Sequence, residues 1–331
     1  MRLWLIFSGL LPEDFLRPYF CTFSISCIMR TLFLTVALLA FGSVASACDV
    51  CGCSIGGNYF GILPQFHRHF VGVRYSEQSF RSAHSRSAAQ LGHFDSDEQF
   101  RTVDVLGRFY PLRRLQMLVL APYHDFRRTE NGVLTHSQGF GDASVLGNFI
   151  LLNTGDSLRR TWQHTLTVGG GIKLPTGQHR LKDAEGQLLH ANLQPGSGST
   201  DFMLSAAYTL RRGAWGLATD VLGRLNTTNH HDYHFGNRLS GSAKFFYWKT
   251  MRRVSFLPNA GVFADHAAAN LDGNSFAEGT GGSIALATLG LDVYAGHFSM
   301  GITIQQPVYQ GLGGGKIQSN TRWMTTLNYI F

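Results

Sequence analysis

The chain has 331 residues and a net charge of +7, from 28 lysines and arginines against 21 acids. Only 15% of it is charged, well below the roughly 25% of soluble domains, while glycine (38 residues) and aromatics (12%) are abundant. The mild basic excess is spread along the chain, which argues against nucleic acid as a partner. Beyond residue 47 no apolar run reaches the length of about 18 residues that a membrane-spanning helix needs.

In chain order, residues 1–28 form an upstream extension without a clear pattern. Met29-Arg30 then opens an apolar run, Thr31 to Phe41, which ends on Ala45-Ser46-Ala47. A positive start, a short greasy core and an A-x-A site make an export signal. Cleavage after Ala47 would leave 284 residues (331 − 47) at +6, since the removed part carries three Arg, one Asp and one Glu.

Cys48, Cys51 and Cys53 follow at once, as CDVCGCS from Cys48 to Ser54. Haem attachment needs His after the second cysteine of C-x-x-C, and Gly52 stands there. Three readings stay open. An oxidising compartment favours a disulfide with one spare thiol. Thiolates suit copper(I) or zinc, the metals that would act as cofactor here, and a zinc site would need a fourth ligand such as His67. Cys48 could also carry a lipid anchor. Residues 48–68 are thus read as a Cys-rich periplasmic segment whose glycine-rich stretch Ser54–Pro64 lies inside or below the following domain.

From residue 69 to 331 the signal is alternation. In Trp162 to Leu174, one face carries Trp162, His164, Leu166, Val168, Ile172 and Leu174, and the other Gln163, Thr165, Thr167 and Lys173. This is the pattern of a strand with lipid on one side and a wet lumen on the other. It predicts twelve strands: 69–77, 98–109, 115–126, 141–152, 161–174, 201–210, 215–225, 237–247, 254–264, 282–294, 297–309 and 318–331. The fold class is therefore all-β, a transmembrane outer-membrane barrel of antiparallel strands. Asp104, Arg108, Lys173, Asp220, Arg224 and Lys244, with Arg74, fall on the small-residue face and are expected to line the lumen. An Arg or Lys facing lipid at mid-depth would cost roughly 2–4 kcal/mol.

The links agree. Those after strands 2, 4, 6, 8 and 10 are short, and four of these five carry an arginine pair: Arg113-Arg114, Arg159-Arg160, Arg211-Arg212 and Arg252-Arg253. The others, 78–97, 127–140, 175–200, 226–236 and 265–281, are longer and polar. Short periplasmic turns and longer outer loops are the habit of such barrels. Trp323, Thr325, Leu327, Tyr329 and Phe331 share one face of the last strand, which resembles the sorting signal read by the barrel-assembly machinery. That machinery and outer-membrane lipids are the expected partners, with the chain itself monomeric.

Four stretches, in this order and spacing, resemble one family. They are Gly139-Phe140-Gly141-Asp142; Gly171 to Gly177 (GIKLPTG); Leu193 to Asp201 (LQPGSGSTD); and Gln306 to Gln310 (QPVYQ). They are similar to the outer-membrane transporters named for the meta-pathway of phenol degradation, which are related in kind to long-chain fatty-acid and aromatic-hydrocarbon channels. The resemblance covers roughly residues 70–331 and implies passive passage of small, often apolar molecules. The cysteine cluster is not part of the core family pattern.

Catalytic machinery is not expected. G-x-S-x-G is missing. Gly313-Gly314-Gly315-Lys316 fails as a phosphate loop, because Gln310 and Ile317 stand where it needs Gly and Ser/Thr. His230, His231 and His234, with Asp232, share one outer loop and read first as polar loop residues. Transport of a small molecule is the leading expectation. Handling of copper or zinc through Cys48, Cys51, Cys53 and His67 is the alternative.

Overall fold

The computed structural model describes residues 68–82, 96–130, 132–154, 161–183 and 185–331. The expected export signal and the expected Cys-rich segment up to residue 67 lie outside the described residues. Twelve wall strands run in sequence order. They are β1 (Phe70–Ser82), β2 (Ser96–Leu112), β3 (Leu115–Glu130), β4 (Val133–Phe140, resuming as Ser144–Asn153), β5 (Trp162–Lys173) and β6 (Asp201–Arg212). β7 (Trp215–Leu225), β8 (Arg238–Tyr247, resuming as Lys249–Met251), β9 (Val254–Ala267), β10 (Gly282–Ala295), β11 (Phe298–Leu312) and β12 (Ile317–Ser319, resuming as Arg322–Ile330) complete the set. Each pairs antiparallel with its neighbours in sequence. β1 pairs with β12 from Phe70↔Ile330 to Glu77↔Trp323, so the wall of the sheet closes on itself.

Alternation decides which side chains face out. Val71, Val73, Val105, Val221, Leu289 and Leu327 are exposed on the outer face, between inward neighbours that are small, polar or aromatic. Aromatic rings mark both rims of this apolar band. Trp162, Trp215, Phe298 and Tyr329 lie near the short turns. Towards the long loops, Tyr75 meets Trp323 with ring centroids at 5.0 Å, and Tyr123 meets Phe140 at 5.3 Å. Rings with a polar tip favour the boundary between hydrocarbon and water.

The interior is layered. Phe70, Leu106, Leu120, Phe246, Leu257, Tyr294 and Ile330 form an apolar cluster towards the short-turn end. Phe80, Phe100, Phe126, Leu193, Phe263, Ile284, Leu286, Leu312 and Ile317 form another towards the long loops. Between them, inward positions are polar: Arg74, Asp104, Asn259 and Thr288 are all buried.

The link expected at 127–140 is instead a hairpin. β3 continues to Glu130 and β4 starts at Val133, registered from Tyr123↔Phe140 to Glu130↔Val133. Outward positions here are polar (Asp125, Arg127, His136, Gln138), so the side-chain contrast fades although the ladder continues. For the same reason β1 runs on to Ser82 and β2 begins at Ser96. On the opposite end, Arg211-Arg212 closes β6 and the turn proper is Gly213-Ala214, with Gly213 at φ +59°. The link between β4 and β5 spans 154–161 and is longer than a tight turn.

Candidate functional site

Three of the four family-like stretches come together inside the barrel. β4 is interrupted at Gly141-Asp142-Ala143, opposite Pro122 of β3, which has no N–H to give to a ladder. Gly141 N–H bonds instead to the Pro122 carbonyl at 2.9 Å. The break turns Asp142 inwards, where one carboxylate oxygen accepts from Gly177 N–H (2.9 Å) and the other from Ser197 N–H (2.8 Å) and Ser197 Oγ (2.6 Å). Lys173, the last residue of β5, places Nζ 3.0 Å from Asp142 Oδ2. The same ammonium pairs with Asp201, the first residue of β6 and its cross-strand partner, and with Ser197 Oγ. Ser199 Oγ and Thr227 N–H complete Asp201 at 2.9 and 3.0 Å.

This cluster anchors the loop 174–200. Lys173, Asp142 and Asp201 are 7%, 8% and 1% exposed, so each carboxylate depends on its partners rather than on water. Gly177 and Gly196 pass backbone against backbone: a Cβ on Gly196 would sit 2.5 Å from the Gly177 carbonyl carbon. Gln194 folds the loop on itself, accepting from Leu181 N–H at 2.9 Å and donating to Leu181 O at 2.9 Å and Leu189 O at 3.0 Å. Leu193, carried by the single helical turn Ala191–Leu193, joins the inward-facing Phe80, Phe100 and Phe126. Ser137 Oγ donates to its carbonyl at 2.5 Å. The loop is thereby drawn into the mouth of the barrel.

Beneath it lies a cavity of about 130 Å³. Its polar lining includes Arg74, Asp104, His124, Lys173, Asp201, Arg224 and Arg322, and its apolar lining Leu120, Pro122, Phe235, Trp323 and Met324. Arg74 Nε pairs with Asp104 at 2.7 Å. His124 Nδ1 and Thr102 Oγ1 are 2.9 Å apart.

The lumen residues expected from alternation divide into two groups. Asp104, Lys173 and Arg224 meet at the cavity. Arg108, Asp220 and Lys244 do not. Arg108 lies over the Phe70 ring, 5.0 Å from its centroid, and donates to Arg68 O at 3.2 Å. Asp220 accepts from Ser242 Oγ, and Lys244 is 2% exposed among the inward groups of β8. Cys48, Cys51, Cys53 and His67 lie outside the described residues. His69 accepts from Tyr110 N–H at 3.2 Å and stacks on Phe331 at 5.7 Å. Among the described residues no group of three His, Cys, Asp or Glu is placed to hold a metal.

No family model matches the chain, and no curated protein matches it. Solved structures do. An outer membrane channel from Pseudomonas putida F1 superposes with a TM-score of 0.60 at 14% identity, over 82% of this chain and 100% of that one. This chain has the fold of an outer-membrane β-barrel. The β domain of the Bordetella autotransporter BrkA aligns with 80% of this chain and 100% of its own length, at a TM-score of 0.46 and 11% identity.

Asp142, Ser197 and Asp201 lie within the motifs GFGD and LQPGSGSTD, but alternation assigns them no role. They sit in loops and at a strand start, where no period indicates direction. The signal that could have found them is chemical: two acids and a serine-rich turn flank one inward lysine.

Proposed function

We propose that this protein is a monomeric outer-membrane channel that lets small molecules, apolar or aromatic ones among them, diffuse passively through the barrel. The long-loop end then faces outwards and the short turns face the periplasm. The observation that carries this reading is the cavity beneath the loop 174–200, inside a closed barrel with an apolar outer band. Apolar clusters above and below the cavity favour molecules that shed water easily, because apolar constrictions resist wetting by hydrated ions. Asp104, Lys173 and Arg224 shape the central path, with Arg108, Asp220 and Lys244 nearer its periplasmic side.

Planar-bilayer conductance and liposome swelling test the reading, with the full chain beside a variant in which residues 178–195 are replaced by a short glycine–serine link. Low but measurable flux, raised in the shortened variant, is expected. A barrel that stays sealed in both forms would overturn it.

A further inference from the structure

Arg224 is set apart from three of the other cations at or near the cavity. Arg74 holds Asp104, Lys173 holds Asp142 and Asp201, and Arg238 holds Asp265 at 3.1 Å. Arg224, on β7 between Met203 of β6 and Arg238 of β8, lines the cavity yet hydrogen-bonds to no acceptor among the described residues; its Nε is buried without a partner. A guanidinium presents five donors in a rigid fork, and buried donors left empty are costly. Asp142, Asp201 and Asp265 attract it from a distance while Arg238 repels it.

The charge count points the same way. The cavity lining carries four cations (Arg74, Lys173, Arg224, Arg322) and four carboxylates (Glu77, Asp104, Asp142, Asp201). Glu77 is also paired from outside the lining by Arg101 at 3.7 Å, and counting that fifth cation leaves an excess of one positive charge. The remaining lining mixes neutral polar groups such as Thr102, His124 and Gln305 with the apolar side chains Leu120, Pro122, Phe235, Trp323 and Met324, and about 130 Å³ is close to the ~150 Å³ cavity that accommodates a benzene ring.

We propose that this cavity is a binding subsite for a small organic monocarboxylate. Its two oxygens sit bidentate on Arg224 and its apolar body lies against Leu120, Phe235 and Met324. A planar fork matches a carboxylate in geometry. One surplus charge matches a monoanion better than a phosphate monoester, which carries about −1.5 to −2 at neutral pH. The assignment names a substrate class for the channel and so rests on that reading, but its test does not involve transport.

The test is calorimetric titration of the purified full chain in detergent micelles with benzoate, benzyl alcohol and phenyl phosphate. Benzoate is expected to bind saturably and at least ~10-fold more tightly than benzyl alcohol. Arg224→Gln should lose about that factor, and Arg224→Lys should keep part of it, because charge remains and the fork does not. Heat-modifiable gel migration shows that each variant is folded; should Arg224→Gln fail to fold, the wild-type comparison of benzoate with benzyl alcohol still decides. Benzoate binding no tighter than benzyl alcohol, or unchanged by Arg224→Gln, overturns the subsite. Phenyl phosphate binding tighter than benzoate overturns its assignment to a monocarboxylate. Lost binding with flux intact refutes the subsite alone, and absent flux with binding intact refutes the channel alone.

Discussion

Lys173 and Asp142 meet at 3.0 Å inside the barrel, one at the end of β5 and the other in the break of β4. Through that contact a wall strand, a strand interruption and the loop that fills the mouth become one unit. Ser197 belongs to all three, since it bonds both side chains from the returning end of the loop.

Lys173→Met should release this loop. The substitution keeps the apolar stem but leaves Asp142 and Asp201 buried without their cation, a loss of about 3–5 kcal/mol when one partner of a buried pair is removed. The loop 174–200 should become a site of protease nicking in intact proteoliposomes, with conductance raised. Unchanged protease resistance would show that the loop is held by Leu193 and Gln194 alone.

Gly196→Ala should loosen the same loop without altering any charge. The added Cβ would meet the Gly177 backbone at 2.5 Å, where nothing can rotate away. Gly223→Ala is the control, because its Cβ finds its nearest neighbour, Leu204 O, at 4.0 Å. Protease sensitivity of the first and wild-type behaviour of the second are the expected pair of results.

Leu289→Arg probes the apolar band. Leu289 is 66% exposed at the middle of β10 and faces outwards. A guanidinium there should cost roughly 2–4 kcal/mol of folding free energy in a bilayer. Arg127→Ala, above the band on β3, should stay within about 0.5 kcal/mol. Reversible denaturant unfolding in lipid vesicles measures both. Equal costs would mean that the band is not in hydrocarbon.

Phe331→Ala should weaken closure of the barrel. Phe331 N–H donates to His69 O at 3.0 Å, and the ring stacks on His69 at 5.7 Å, at the foot of the β1–β12 seam. The seam joins the first and last wall strands, so its pairing has the largest sequence separation in the sheet and is slow to form. A smaller fraction of compact, heat-modifiable barrel in outer-membrane preparations is expected. Normal assembly would place the closing interactions higher, at Tyr75 and Trp323.

Strands β5 to β11 were legible because their outward and inward residues differ in polarity over the whole crossing. Trp162 to Lys173 shows this best. The upper part of the β3–β4 hairpin was not, because Arg127 and His136 face water outside just as Arg128 faces a polar interior. Backbone pairing leaves no mark in polarity once both faces are wet. In the site, Asp104, Lys173 and Arg224 could be read as inward charges. That Lys173 would select Asp142 and Asp201 could not, since those partners lie across a strand break and beyond a long loop.

Alternation, glycine content and link lengths determined by themselves that this chain forms a closed barrel, which face of each strand is apolar, and which charges point inwards. These follow from a local rule, the opposite projection of successive side chains along a strand. Only the tertiary structure decided that the loop 174–200 turns into the mouth, that Lys173 is consumed by two carboxylates, and that Arg224 lines a cavity with its buried Nε unpartnered among the described residues. Those outcomes depend on which buried charge reaches which partner, and that distance is set by the closure of the barrel rather than by neighbours in the chain.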